Sequence, residues 1–235
     1  MNLEFLTDAD AVAQQAASVI AGAARSAVNA RGKFVMAVSG GRTPWVMLKA
    51  LAAEDLPWQS IQIFQVDERV APDGHSERNL THLRASLASV PLAADQIHAM
   101  DVTASDLKGA AEQYGVILEQ VAGSPPVLDL VHLGLGTDGH TASLVPDDPA
   151  LNVEDEDVAI TGLYQGRQRM TLSFPVLNRS RKILWVVTGQ EKGEMLARLR
   201  QGDVSIPAGR VRRDDALILA DQAAVVLTDP NREPN

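Results

Sequence analysis

The sequence predicts an α/β fold: a mostly parallel sheet flanked by helices. Segments with a helical apolar period alternate with short apolar runs along the whole chain. The runs at residues 34–38 (Phe-Val-Met-Ala-Val) and 183–187 (Ile-Leu-Trp-Val-Val) lack polar alternation, as strands covered on both faces do. Glycine clusters follow two of the runs, at Ser39-Gly40-Gly41 and Gly134-Leu135-Gly136, where a strand must turn sharply. No Pro/Gly/Ser-rich linker divides the 235 residues, so the chain reads as a single domain, 1–235. Residues 229–235, polar and containing proline, are expected to fray.

In order along the chain, residues 7–30 read as a helix, with Val12, Ala16, Val19, Ala23 and Ala27 on one stripe. Thr7 and Asp10 have the spacing of a capping box. A strand at 34–38 leads to a helix that starts at Thr43-Pro44, with Thr43 as cap and Pro44 in the first helical position. Residues 61–66 read as a strand, 79–89 as a helix stopped near Pro91, 104–121 as a helix and 128–133 as a strand. Strands at 170–174 and 183–187, a helix at 192–199 and a strand at 224–228 complete the pattern. The acidic run Glu154-Asp155-Glu156-Asp157 reads as a solvated loop.

Composition excludes several classes of function. Zero cysteines remove disulfides, thiolate metal sites and a cysteine nucleophile. A net charge of -9 argues against nucleic-acid and anionic-membrane partners, both of which call for a basic surface. Apolar runs stop at five residues, far short of the ~20 of a membrane span. The start of the chain carries Glu4, Asp8 and Asp10 without a positive charge, unlike a signal peptide, and the expected setting is cytoplasmic.

Four motifs fall at strand ends, the edge where open α/β sheets bind ligands. In Ser39-Gly40-Gly41-Arg42-Thr43-Pro44, backbone amides can converge on an anion at a helix N-terminus, with Arg42 adding a cation. It is neither Walker A nor G-x-G-x-x-G, and a plain tight turn would use the same glycines. In Asp67-Glu68-Arg69-Val70-Ala71-Pro72, Asp67 can be a base or orient a histidine, and Arg69 can grip a phosphate or carboxylate. A surface ion pair between neighbours is the plainer reading of that segment. In Gly134 to Leu144, three glycines in six residues present His140, a residue suited to general-base work near neutral pH. In Thr188-Gly189-Gln190-Glu191-Lys192, Lys192 can bring a compact charge to a phosphate, although an exposed lysine after a turn is common. His132 reads as a core residue within its strand, and His75, His82 and His98 lack metal-ligand spacing, so no metal is expected.

These segments together resemble the glucosamine-6-phosphate isomerase/6-phosphogluconolactonase family, on its lactonase side. Weaker matches at 172–178, 189–192 and 206–208 extend the resemblance from about residue 5 to residue 228. It implies a Rossmann-like fold, no cofactor, and a place in the oxidative pentose phosphate pathway. It assigns phosphate binding to Ser39, Gly40, Gly41, Arg42 and Lys192, and the catalytic base to His140, with Asp67 and Arg69 nearby. Gly139 and Thr141, flanking His140, are further candidates for substrate contact. The segment from His75 to Asn79 departs from the family pattern, so its contacts carry no expectation.

The implied partner is a small sugar-phosphate lactone bound by a monomer or homodimer, with neither nucleic acid nor membrane involved. Without a Gly-x-Ser-x-Gly elbow or a cysteine, water activated by His140 is the natural nucleophile. Amides around Gly139, or Arg69, would hold the oxyanion. Two rivals stand: an aminosugar-phosphate isomerase/deaminase and a non-catalytic sugar-phosphate sensor. The first would carry Asn-Glu-Pro after the histidine block, where this chain has Ser143-Leu144-Val145-Pro146. The second would carry an added DNA- or protein-binding segment, which one domain of this length leaves little room for.

Overall fold

The computed structural model describes residues 1–225. In chain order the strands are β1 (Asn2–Leu6), β2 (Phe34–Val38), β3 (Ile61–Gln65), β4 (Asp67–Arg69), β5 (Ile97–His98), β6 (Leu130–Leu133), β7 (Val158–Ile160), β8 (Arg169–Leu172), β9 (Ile183–Val187) and β10 (Ala216–Asp221). The helices are α1 (Ala9–Arg31), α2 (Arg42–Ala52), α3 (Asn79–Ser86), α4 (Leu107–Ala122), α5 (Phe174–Arg179), α6 (Gly193–Gln201) and α7 (Gln222–Val225). Seven strands form one parallel sheet in the order β1-β10-β9-β6-β2-β3-β5. No described helix is long and apolar enough to cross a membrane.

The unbroken apolar runs are explained by two cores. Along β2, Phe34, Met36 and Val38 face the core under α1, α2 and α3, while Val35 and Ala37 face the core under α4, α5 and α6. α1 packs on both α2 and the sheet, and its buried face is rich in small residues, Ala13, Ala16, Ala17, Ala21 and Ala24, which allow close approach. This is the expected single-domain α/β architecture with helices on both faces.

Several local expectations need correction. The cap of α1 is Asp8, whose carboxylate accepts from the Ala11 amide at 2.8 Å, rather than Thr7. α2 starts at Arg42 behind Gly41, and Thr43 instead shares a 2.8 Å hydrogen bond with Thr188, tying two loops together. Residues 169–172 do form a strand, but it leaves the parallel sheet for a second, antiparallel one ordered β4-β8-β7, and Phe174 already begins α5. The segment expected as a strand at 224–228 is helical at 224 and 225, and its remainder, like the tail at 229–235, lies outside the described residues. The last strand among the described residues is Ala216–Asp221, held between β1 and β9.

β4 and α3 are joined by a fully buried carboxylate. Glu68 Oε1 accepts from the amides of Arg69 and Asn79, each at 2.8 Å, and Oε2 from the amide of Leu80 at 2.9 Å. Two of these amides belong to the first turn of α3, whose positive end favours an anion. Arg78, also buried, brings Nε to 3.1 Å from Glu68 Oε2 as an ion pair and donates to the Ala71 carbonyl. Glu68→Ala strands a buried guanidinium and two helix amides, and should cost about 3–5 kcal/mol in urea unfolding, as should Arg78→Ala. The double variant should cost clearly less than the sum, because neither charge is then left alone. Additive losses would mean the two side chains are not coupled.

Candidate active site

The order of the sheet reverses between β2 and β6. From β2 the chain steps outward to β3 and β5; from β6 it steps the other way to β9 and β10. Loops leaving the two central strands therefore diverge, and a crevice opens at their C-terminal ends. Ser39 marks the split: its amide and hydroxyl both donate to the His132 carbonyl, at 3.3 and 3.1 Å. The His132 ring is wholly buried, and desolvation drops its pKa to about 3, so it stays neutral. Its Nδ1 accepts from the Ser39 amide at 3.3 Å while Nε2 has no partner among the described residues.

One part of the crevice, a cavity of about 600 Å³, is lined by Gly40, Gly41, Arg42, Thr188, Gly189 and Lys192, among others. Among the described residues no side chain caps α2, which leaves its first amides without a side-chain acceptor. Together with the Arg42 and Lys192 cations they form a surface that can accept an anion. Gly189 donates its amide to the Asp221 carboxylate at 3.1 Å, which fixes the turn that carries Lys192. Gly40 must lack a side chain, since a Cβ there would lie 1.9 Å from Asn79 Oδ1.

A second cavity of about 200 Å³ shares Gly40, Gly134, Leu135 and Lys192 with the first. Its other walls include Ser39, Asp67, Arg69, Asn79, His140 and Arg169. His140 Nδ1 lies 2.5 Å from Asp138 Oδ1, and Tyr164 donates its hydroxyl to Asp138 Oδ2 at 2.9 Å. Burial works against ionisation of Asp138, but the His140 amide and ring and the Tyr164 hydroxyl outweigh it and hold the carboxyl below its usual range. An anionic partner at Nδ1 selects the tautomer in which Nε2 carries the free lone pair. Gly136 makes room for this pair: a Cβ on it would fall 2.0 Å from His140 Nδ1 and 2.6 Å from Asp138 Oδ1.

Asp67 is placed by a different network. Its Oδ2 accepts the Ser143 hydroxyl at 2.6 Å, and Asn79 Nδ2 donates to its backbone carbonyl at 3.0 Å. Burial pushes the Asp67 carboxyl above its ordinary pKa, against the opposing pull of Ser143, Arg69 and Arg169. Arg69 donates to the Glu77 carbonyl and to Asn79 Oδ1, at 2.9 and 3.1 Å. The segment from His75 to Asn79 thus has a definite role, holding Arg69 and the floor of the cavity.

Ser39, Gly40, Gly41, Arg42, Asp67, Arg69, His140 and Lys192 all line this joined crevice. Gly139 and Thr141 do not. The Gly139 amide is spent on the Gly136 carbonyl at 3.1 Å, and Thr141 is fully buried with its hydroxyl on the Gly134 carbonyl at 2.9 Å. Both shape the loop rather than its surface. The carboxylate that orients His140 is Asp138, not Asp67, and its position two residues before the histidine was the available signal. Asn79, Tyr164 and Arg169 come from distant segments and carried no local signal. Among the described residues, no cluster of three or more His, Asp or Glu side chains is arranged to hold a metal ion.

Comparison with known proteins matches this architecture. The family model described as glucosamine-6-phosphate isomerases/6-phosphogluconolactonase matches residues 7–219. A 6-phosphogluconolactonase from Synechocystis is 38% identical over 178 residues, covering 74% of both chains. One from Nostoc is 33% identical over 231 residues, covering 94% of this chain and 96% of that one. The crystal structure of 6-phosphogluconolactonase from Thermotoga maritima superposes with a TM-score of 0.82 at 26% identity, over 94% of this chain and 98% of the other. With a Rossmann-like sheet, a crevice at its point of reversal and these matches along nearly its whole length, the chain belongs to the glucosamine-6-phosphate isomerase/6-phosphogluconolactonase family.

Proposed function

We propose that the protein hydrolyses 6-phospho-D-glucono-1,5-lactone to 6-phosphogluconate, in the cytoplasm and as part of the oxidative pentose phosphate pathway. The observation that supports this most is the His140–Asp138 pair, opening onto a cavity continuous with an anion cradle. The substrate has matching parts: a phosphate remote from an electrophilic lactone carbonyl. The cradle of Gly40, Gly41, Arg42 and Lys192 takes the phosphate and so fixes the lactone beside His140. His140 Nε2 removes a proton from water as the water oxygen attacks C1. Asp138 stabilises the imidazolium that results. Collapse of the tetrahedral oxyanion breaks the bond from C1 to the ring oxygen, and imidazolium returns its proton to that oxygen. No covalent intermediate forms and the step uses no metal. The net -9 charge does not oppose an anionic substrate, since Arg42, Arg69, Arg169 and Lys192 concentrate positive potential in the crevice.

Acid release from freshly prepared 6-phosphogluconolactone, with glucosamine 6-phosphate run in parallel, tests the assignment. Turnover of the aminosugar alone would replace it with the isomerase/deaminase reading. His140→Asn should lower kcat by ~10²–10⁴-fold with little change in folding. Parental turnover in that variant would remove His140 from the mechanism.

Lys192→Ala should separate handle from chemistry. Losing one charged contact to the phosphate should lower kcat/KM on the phosphorylated lactone by about 10–150-fold. Hydrolysis of unphosphorylated gluconolactone should be nearly unchanged. Equal losses on both would place Lys192 in the fold or in the catalytic step.

Asp67 gives a prediction in pH. Its folded pKa lies above the unfolded value of ~3.9, so the charged form is disfavoured by folding, and stability falls as pH rises from the unfolded towards the folded pKa. Asp67→Asn removes that cost. Its Tm relative to the parent should therefore rise from pH 3.5 upward, while kcat falls. A relative Tm that drops with increasing pH would show Asp67 to be a stabilising charge.

A further inference from the structure

In the second sheet Arg69 stands directly opposite Arg169, and Asp67 opposite Thr171. Directly opposed residues of an antiparallel pair share one face, and like charges in that position repel. Asp67 and Glu77 are the nearby carboxylates, and Asp67 Oδ2 accepts from Ser143. Among the described residues neither Arg69 nor Arg169 hydrogen-bonds to a carboxylate, and both face a cavity that also contains His140.

Arg169 is only 4% exposed. Its guanidinium stacks 4.8 Å from the Tyr164 ring centroid, and one terminal nitrogen donates to Gln165 Oε1 at 3.2 Å. Nε is buried without a partner among the described residues. Tyr164 also meets the His140 ring edge-on, at 5.5 Å between centroids, so the cation and the base lean on the same aromatic side chain. Burial first, and Arg69 second, push the Arg169 pKa below that of a free guanidinium, as expected for a cation missing its anion.

The three loop amides next to His140 and its glycines are already engaged. Gly136 donates to the His140 carbonyl, Gly139 to the Gly136 carbonyl, and the His140 amide to Asp138 Oδ1. We propose that Arg169, paired with Arg69, binds the C1 end of the substrate, holding the oxyanion of the tetrahedral intermediate and then the carboxylate of the product. This rests on the lactonase reading. It makes Arg169 a catalytic residue and the β7–β8 hairpin part of the active site.

Two ligands that differ only at C1 test it by calorimetry: 6-phosphogluconate, with a carboxylate there, and glucitol 6-phosphate, with a hydroxymethyl group. Parent protein should prefer the carboxylate. Arg169→Gln should bind 6-phosphogluconate about 10–100-fold more weakly and glucitol 6-phosphate within about threefold of the parent. Retained binding of the alditol shows that the variant is folded. Its kcat on the lactone should fall by ~10²–10³-fold, as for the loss of an oxyanion donor. Should Arg169→Gln fail to fold, Arg169→Lys keeps the charge and stem but not the fork, and should still lose most of the preference. Unchanged preference in the folded variant, or equal losses for both ligands, overturns the role of Arg169 alone. A parent that binds neither ligand overturns the lactonase reading and this proposal with it.

Discussion

The pairing of β2 with β6 is the constraint on which the rest of the molecule depends. These strands run side by side although nearly a hundred residues separate them, and the sheet grows outward from them in opposite directions. Asp129 pins the start of the pair: its carboxylate accepts from the Val35 amide at 2.9 Å, while its own amide donates to the Val35 carbonyl at 2.8 Å. Ser39 pins the other end on His132. Beyond Ser39 no further hydrogen bond joins the two segments among the described residues, and the loops separate. The crevice is thus a direct result of strand order, and the glycine loops are the chain's response to having to leave it sharply.

Helix N-termini around the crevice are treated in two opposite ways. The first amides of α3 are taken up by the buried Glu68 carboxylate. Those of α2 are left bare behind Gly41. The same physical property, a row of donors with a favourable dipole, is used internally in one helix and left facing the crevice in the other. Gly40 lies between them, pressed against Asn79, and its missing side chain is what lets the two helix starts approach the same space.

The small antiparallel sheet supplies the unfavourable part of the design. It presents a carboxyl that burial keeps from ionising freely, and two guanidiniums directly opposed. Buried Glu68, Arg78 and the ring of Tyr164 brace this wall from behind and from the side. An arrangement that opposes like charges in the empty protein becomes favourable once an anion enters, which is how a site can favour a charge that develops only during reaction.

The sequence alone determined what depends on neighbours along the chain. Strands at 34–38 and 183–187 were legible because both of their faces are buried and their residues are apolar without interruption, and those at 61–65 and 130–133 because apolar residues dominate despite Gln62, Gln65 and His132. The Ser-Gly-Gly-Arg loop and the Gly-rich loop of His140 were legible because sharp turns next to a ligand leave glycine as a local mark. Asp138 sat within reach of the same reasoning, two residues from the histidine it orients. Only the tertiary structure decided the last strand and the second sheet. Residues 216–221 are as apolar as residues 223–227, and it is their pairing with β1 and β9 that makes them a strand. Arg169 acquires its role from register, by lying opposite Arg69 across a hundred residues of chain, and Asn79 from contact with Asp67 and Gly40. Backbone preference and periodicity act over a few residues, whereas an active-site wall is set by which strands meet, and that free energy belongs to the whole fold.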